Sequence, residues 1–406
     1  MLILNPDPAH GAPLDAADAA LLGAAAADEL ARYLAHRPDH RPTPLIALPC
    51  LAARLGVAAL HLKDESTRFG LGSFKALGGA YAVVRLVLEE ASRRLGRPVG
   101  YADMAAPEVR RVAATMTFAC ATDGNHGRSV AQGAAMLGGR CAILVHAGVS
   151  PARVAAIAGL GAEIIRVDGT YDDSVEEAAR LSAARGWTVV SDTSWPGYER
   201  IPGLVMQGYV AMVDEALAAM PAPPTHVFIQ AGVGGLAAAV AGHLAERLGA
   251  RRPVLVVVEP DRAACVLETA RAGRPVRIEA GAPTVMAMLE CYETSLVAWR
   301  ILARAADAFM TVSEEDAVAA MNRLARPEAG DMAVVAGESG GAGLAGLLRV
   351  AGDAGARQAL GCGAEARILV FNTEGATDTA RYRDLVGLDP ALVTAPGQRR
   401  ISNSPS

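Results

Sequence analysis

The chain has 406 residues, 52% of them hydrophobic, so it can bury a sizeable core in one or two domains. Its 38 basic and 43 acidic side chains give a formal charge of -5 and are scattered without long blocks, which argues against a nucleic-acid partner. Six cysteines without a C-x-x-C pair and eight histidines without H-E-x-x-H argue against a metal site or a disulfide scaffold, and no signal-like or membrane-spanning run is read, so a cytoplasmic protein is expected.

Short β-branched runs alternate with alanine-rich helical stretches, the pattern of βαβ units and a parallel sheet, so the expected fold class is α/β. The predicted strands are residues 141–146, 163–167, 187–191, 226–230, 254–259 and 368–372. The predicted helices include residues 151–160, 174–185, 207–220 and 235–248, each with apolar positions at helical spacing. Pro221-Ala222-Pro223-Pro224 marks a domain boundary or a rigid loop. The last residues, 396–406, have the composition of a disordered tail.

Only two lysines, Lys63 and Lys75, stand against 36 arginines. A guanidinium cannot serve as a nucleophilic amine, whereas a desolvated lysine can condense with an aldehyde. Lys75 sits where the glycine-bearing loop Gly72-Ser73-Phe74 turns into a helical run, a place where the helix dipole lowers an amine's pKa. Lys63, followed by Asp64 and Glu65, reads as a salt-bridged loop residue.

Ala121-Thr122-Asp123-Gly124-Asn125-His126-Gly127 follows. Its glycines allow close approach to a ligand, Asn125 offers an amide donor and Asp123 a base, although Asp-Gly-Asn is also ordinary turn chemistry. Gln230-Ala231-Gly232-Val233-Gly234-Gly235-Leu236-Ala237 lies between a strand and a helix. Its backbone N–H groups at a helix start suit a phosphate. The same run satisfies a dinucleotide fingerprint, with Glu259 close to where a ribose-binding acid would sit. One aldehyde-seeking lysine, one phosphate loop and one amide donor together describe pyridoxal 5'-phosphate better than a nicotinamide.

These residues resemble the fold-type II pyridoxal-phosphate enzymes, the group of the tryptophan synthase β chains, threonine and serine dehydratases and cysteine synthases. Thr43-Pro44-Leu45, Ser73-Phe74-Lys75, Gly124-Asn125-His126-Gly127 and Gly232 to Leu236 fall in the family's order. Within it the chain looks most like the diaminopropionate ammonia-lyases. Arg68-Phe69-Gly70-Leu71, Ser191-Asp192-Thr193-Ser194-Trp195-Pro196-Gly197-Tyr198, Thr284-Val285-Met286-Ala287, Gly337-Glu338-Ser339-Gly340 and Thr373-Glu374-Gly375 carry that likeness over residues 40 to 385.

The resemblance implies two α/β domains with parallel-type sheets: a large one of residues 1–75 and 210–406, and an inserted one of residues 76–209. It implies that Lys75 holds the cofactor, that Asn125 contacts its ring oxygen and that Gly232, Val233, Gly234, Gly235 and Leu236 bind its phosphate. Thr373 would face the pyridine nitrogen, where a neutral hydroxyl makes the ring a weaker electron sink than an Asp would and suits prompt loss of a β-group. The implied reaction is α,β-elimination of ammonia from 2,3-diaminopropionate or a related β-substituted amino acid, giving pyruvate and ammonia, in a homodimer. Lys75 would be the base for an L-substrate, Asp123 the base for the opposite face and Asp192 the holder of the distal amino group. A turn or helix cap fits Asp192 as well. β-Replacement and a serine- or threonine-type dehydratase are the neighbouring readings, and a binding protein of the same fold without turnover is a remote one. The chain leaves the lyase pattern at Met288-Leu289-Glu290-Cys291-Tyr292-Glu293-Thr294-Ser295, where Glu290 or Glu293 could touch substrate or the segment could be a drifting loop.

Overall fold

The computed structural model describes residues 1–122, 124–169 and 171–393. Asp123 and the tail 396–406 lie outside the described residues. The chain divides into two compact units. No described helix is long and apolar enough to cross a membrane.

The larger unit comprises Met1–Ala24, Pro42–Thr67 and the chain from Met212 on. Its seven-stranded sheet runs Leu2–Leu4, Ala308–Val312, Val254–Pro260, His226–Gln230, Arg367–Asn372, Ala59–Asp64, Leu45–Ala47. The five inner strands are parallel and only the two edges antiparallel. The central strands read as unbroken apolar runs because helices cover both faces, as parallel sheets require. Val258, Met310, Leu344, Leu347, Ile368 and Val370 belong to the resulting core.

The smaller unit comprises Ala25–Arg41 and Arg68–Ala211. Its four-stranded sheet runs Glu163–Val167, Arg140–His146, Thr117–Ala121, Thr188–Val189, all parallel. The predicted strands and helices are found with end shifts of up to three residues, except that the helix expected over 207–220 runs Arg200–Ala219 and so begins seven residues earlier. The strand expected over 187–191 is only two residues long, because Ser191 and Asp192 turn away from the sheet.

The division differs from the expected one. The breaks fall after Thr67 and Ala211, and Ala25–Arg41 joins the smaller unit. The reason is aromatic packing. Tyr33, on the helix Ala24–Ala35, lies 5.3 Å from the Tyr81 ring and 5.6 Å from Tyr101. The Tyr101 hydroxyl donates to Glu29 (2.7 Å), and Arg37 donates to the Tyr33 oxygen (2.8 Å). Lys75, expected at the edge of the large domain, belongs to the smaller unit as the first residue of the helix Lys75–Leu95.

Lys63 also departs from expectation. It is the fifth residue of the strand Ala59–Asp64, not a loop residue, and is 1% exposed. Its ammonium donates to Thr43 O and to Glu215, each at 2.6 Å, and lies 3.8 Å from Glu65.

Candidate active site

In the smaller unit two of the candidate positions, Asn125 and Asp192, follow the C-terminal ends of adjacent parallel strands, where α/β sheets place ligands. Asn125 opens the helix Asn125–Leu137 after the strand Thr117–Ala121, and Asp192 follows Thr188–Val189. Phe118 and Thr188 are partners in register, so the two loops leave the sheet side by side.

Lys75 is held from both directions. Before it, Phe69 takes a left-handed φ of 48°, a strained conformation for a bulky residue, with the Arg37 guanidinium 4.1 Å from its ring centroid. Arg128 anchors the same loop by donating to Leu71 O (2.7 Å). After it, the helix is drawn against Arg200–Ala219, where a Cβ on Gly208 would come within 2.7 Å of Gly78 Cα. Only glycine permits that approach. The Tyr209 ring meets Phe74 edge-on at 4.8 Å.

The Lys75 ammonium forms an ion pair and hydrogen bond with Asp192. Burial by itself would raise the Asp192 carboxyl, but the Lys75 ammonium and its own backbone outweigh that and hold it well below the usual carboxylate range. The pairing favours the charge-binding reading of Asp192 over the capping one. Its turn is fixed by Tyr198, whose hydroxyl donates to Val189 O (2.8 Å) and accepts from Ser191 N (3.0 Å). His126 donates from Nε2 to Val190 O (2.8 Å), and burial lowers its pKa, so it stays a neutral imidazole beside the pair. His126 and Tyr198 were legible only as motif members; their roles come from tertiary contacts.

The sign of the Asp192 shift makes a prediction. A depressed carboxyl stabilises the fold above its unfolded value, near about pH 4, and that contribution is lost as pH falls through the folded value. In cofactor-free protein, Asp192→Asn is expected to cost about 1–3 kcal/mol at neutral pH. The gap to wild type should shrink below about pH 4. Denaturant melts at several pH values check this, and a pH-independent gap removes the ion pair as its cause.

In the larger unit the two candidate segments again leave neighbouring parallel strands. Gly232 to Leu236 follow His226–Gln230, and Thr373 follows Arg367–Asn372. The helix Gly235–Leu248 opens at Gly234, whose φ is +93°. Among the described residues, the N–H groups of Gly232, Val233, Gly234, Gly235 and Leu236 donate to no protein acceptor. A cradle of free N–H groups at a helix start binds a phosphate. A Cβ at Gly232 would come 2.9 Å from Cys291 Sγ, so the loop has no room for side chains there.

The divergent segment is no drifting loop. Ser295 N donates to Val233 O (2.9 Å) and Met288 N to Ser339 Oγ (3.1 Å), strapping it across the phosphate loop. Glu290 is occupied within the strap, accepting from Thr284 N (3.2 Å) and from the Tyr292 hydroxyl (2.7 Å). Glu293 is exposed.

Thr373 is buried, and its Oγ1 accepts from Gln230 Nε2 (2.8 Å). The motifs around Ser339 and Thr373 lie together: Gly337 N donates to Glu374 O (2.9 Å) and Thr373 N to Gly340 O (3.3 Å). Glu259 does not serve a ribose. It is fully buried, accepts from Val266 N and Leu267 N at 2.7 Å each, and burial pushes it up to about 8. Those two N–H groups open the helix Cys265–Ala272, so the acid that completed the dinucleotide fingerprint is a helix cap.

Comparison with known proteins points the same way. Residues 36–373 match the family described as pyridoxal-phosphate dependent enzyme. The diaminopropionate ammonia-lyase of Escherichia coli (strain K12) is 39% identical over 354 residues, covering 86% of this chain and 87% of that one. The crystal structure of the Escherichia coli enzyme in complex with D-serine is 35% identical, with a TM-score of 0.85, and covers 95% of this chain and 96% of that one. The same enzyme in complex with an aminoacrylate–PLP azomethine reaction intermediate is 36% identical with a TM-score of 0.83, at the same coverage.

Proposed function

Because the chain belongs to the pyridoxal-phosphate dependent enzymes, we propose that it is an ammonia-lyase eliminating ammonia from 2,3-diaminopropionate or a close β-substituted relative. The observation that carries this reading is the Lys75–Asp192 pair. It sets a carboxylate, charged at neutral pH, beside the amine that must lose a proton, and a substrate with a second ammonium needs such a counter-charge. A hydroxyl leaving group does not.

The residues fit the cofactor: five free N–H groups on a glycine loop for the phosphate, and a lysine at a helix start for the aldehyde. When bound, pyridoxal 5'-phosphate supplies the aldehyde that links to amines and a ring that takes up electrons from the α-carbon. In this proposal Gly232, Val233, Gly234, Gly235 and Leu236 hold the phosphate, Asn125 donates to the ring oxygen and Thr373 faces the ring nitrogen. Lys75 would hold the cofactor through its amine and, when free, would take the α-proton from one face. Asp192 holds the distal ammonium before it departs. Asp123 serves as base on the opposite face, which would admit both enantiomers. A homodimer and a cytoplasmic location belong to the same proposal, on the strength of the resemblance.

The test is a panel of D- and L-amino acids bearing β-amino or β-hydroxyl groups, assayed for pyruvate and ammonia. Both isomers of diaminopropionate are expected to be turned over faster than serine or threonine. Turnover of hydroxy amino acids alone would make the chain a dehydratase. Asp123→Asn should slow the D-isomer by about 10²-fold or more and spare the L-isomer; equal losses would assign Asp123 to binding.

A further inference from the structure

Gln230 is the last residue of its strand and is fully buried. Its Nε2 lies 2.7 Å from Gly340 O, 2.8 Å from Thr373 Oγ1, 3.1 Å from Phe371 O and 3.3 Å from Ser339 O. Three of these four neighbours are carbonyl oxygens, which can only accept. The opposite amide orientation would press the Gln230 carbonyl against all three, so the nitrogen must face them. The amide nitrogen has two protons, and the two shortest contacts, Gly340 O and Thr373 Oγ1, take them; since an amide nitrogen cannot accept, Thr373 Oγ1 is the acceptor in its contact with Gln230. A hydroxyl has one proton of its own to give, and among the described residues no protein acceptor receives it.

We infer that Gln230 is a positioning residue: by donating to Thr373 it commits that hydroxyl to donate in turn to the cofactor's ring nitrogen. The inference rests on the placement of Thr373 at that nitrogen. A nitrogen that accepts a hydrogen bond keeps its lone pair and stays unprotonated, so the ring withdraws fewer electrons and the β-group leaves early. The strand pairing makes the link direct. His226–Gln230 and Arg367–Asn372 are neighbours in register, with Phe228 opposite Val370, so both side chains project beyond the same strand ends.

The test uses holoenzyme loaded with pyridoxal 5'-phosphate enriched in nitrogen-15 at the ring position. Wild type is expected to give the signal of a neutral, hydrogen-bonded pyridine, and a pyridinium signal would overturn the inference. Gln230→Met keeps the shape and removes the donor. It should move the signal toward a pyridine without a hydrogen bond and lower kcat about tenfold with KM within about twofold. Gln230→Glu, of equal size but with at most one donor, should move it the same way. Thr373→Val separates the two claims. If it leaves the signal unmoved, the placement of Thr373 is wrong. If it moves the signal and neither Gln230 variant does, Thr373 stands and the role of Gln230 falls.

Discussion

Lys75→Ala should purify without a borohydride-reducible link between protein and cofactor, and its turnover should fall by about 10³-fold or more. The only other lysine, Lys63, cannot take over. Its ammonium is buried against Thr43 O and Glu215 in the larger unit, 1% exposed and inside a strand. Lys75 is only partly buried and heads a helix, so its amine is within reach of a ligand. Added methylamine should restore part of the activity if the missing group is an amine base. A reducible protein linkage surviving in Lys75→Ala would falsify the assignment.

What could be read from the sequence follows from distance along the chain. Lys75, the glycine loop and Thr373 each announce themselves through neighbours a few residues away: a helix start, a strand end, a run of glycines. Their supports do not. Gln230 was visible only as the residue before a loop, because its partners are about 110 to 143 residues away and no local pattern encodes them. The dinucleotide fingerprint misled for the matching reason. It is a local rule, and Glu259 satisfied it while both its carboxyl oxygens accept from the N–H groups of Val266 and Leu267. The domain boundary slipped at residues 25–41 for want of a tertiary fact, the Tyr33, Tyr81 and Tyr101 packing.

Lys63 carries the second large expectation, and it concerns stability. The sequence suggests an exposed ion pair, worth little. Buried, the same charges are costly to leave unmatched. Glu65 is fully buried and accepts from the Thr43 hydroxyl (2.6 Å), while Glu215 accepts from both Lys63 and Thr43 N. Lys63→Met removes the ammonium that donates to Glu215 and Thr43 O and lies 3.8 Å from Glu65, and should destabilise the protein by about 3–5 kcal/mol, read as a lower denaturant midpoint with unchanged slope. Lys63→Arg is also expected to be costly, by about 1–3 kcal/mol, because a planar guanidinium needs more room than a compact ammonium. Either variant that folds should keep its reducible cofactor link. Cofactor affinity should weaken, since Lys63 lies in register with Phe371 and Asp64 with Asn372, whose amide donates back to Asp64 (2.8 Å) just before Thr373. An unfolding free energy within about 1 kcal/mol of wild type in Lys63→Met would show that the buried cluster does not depend on this ammonium. On the proposed function the two lysines answer to different constraints: a reactive amine at 75, and a small cation for packing at 63.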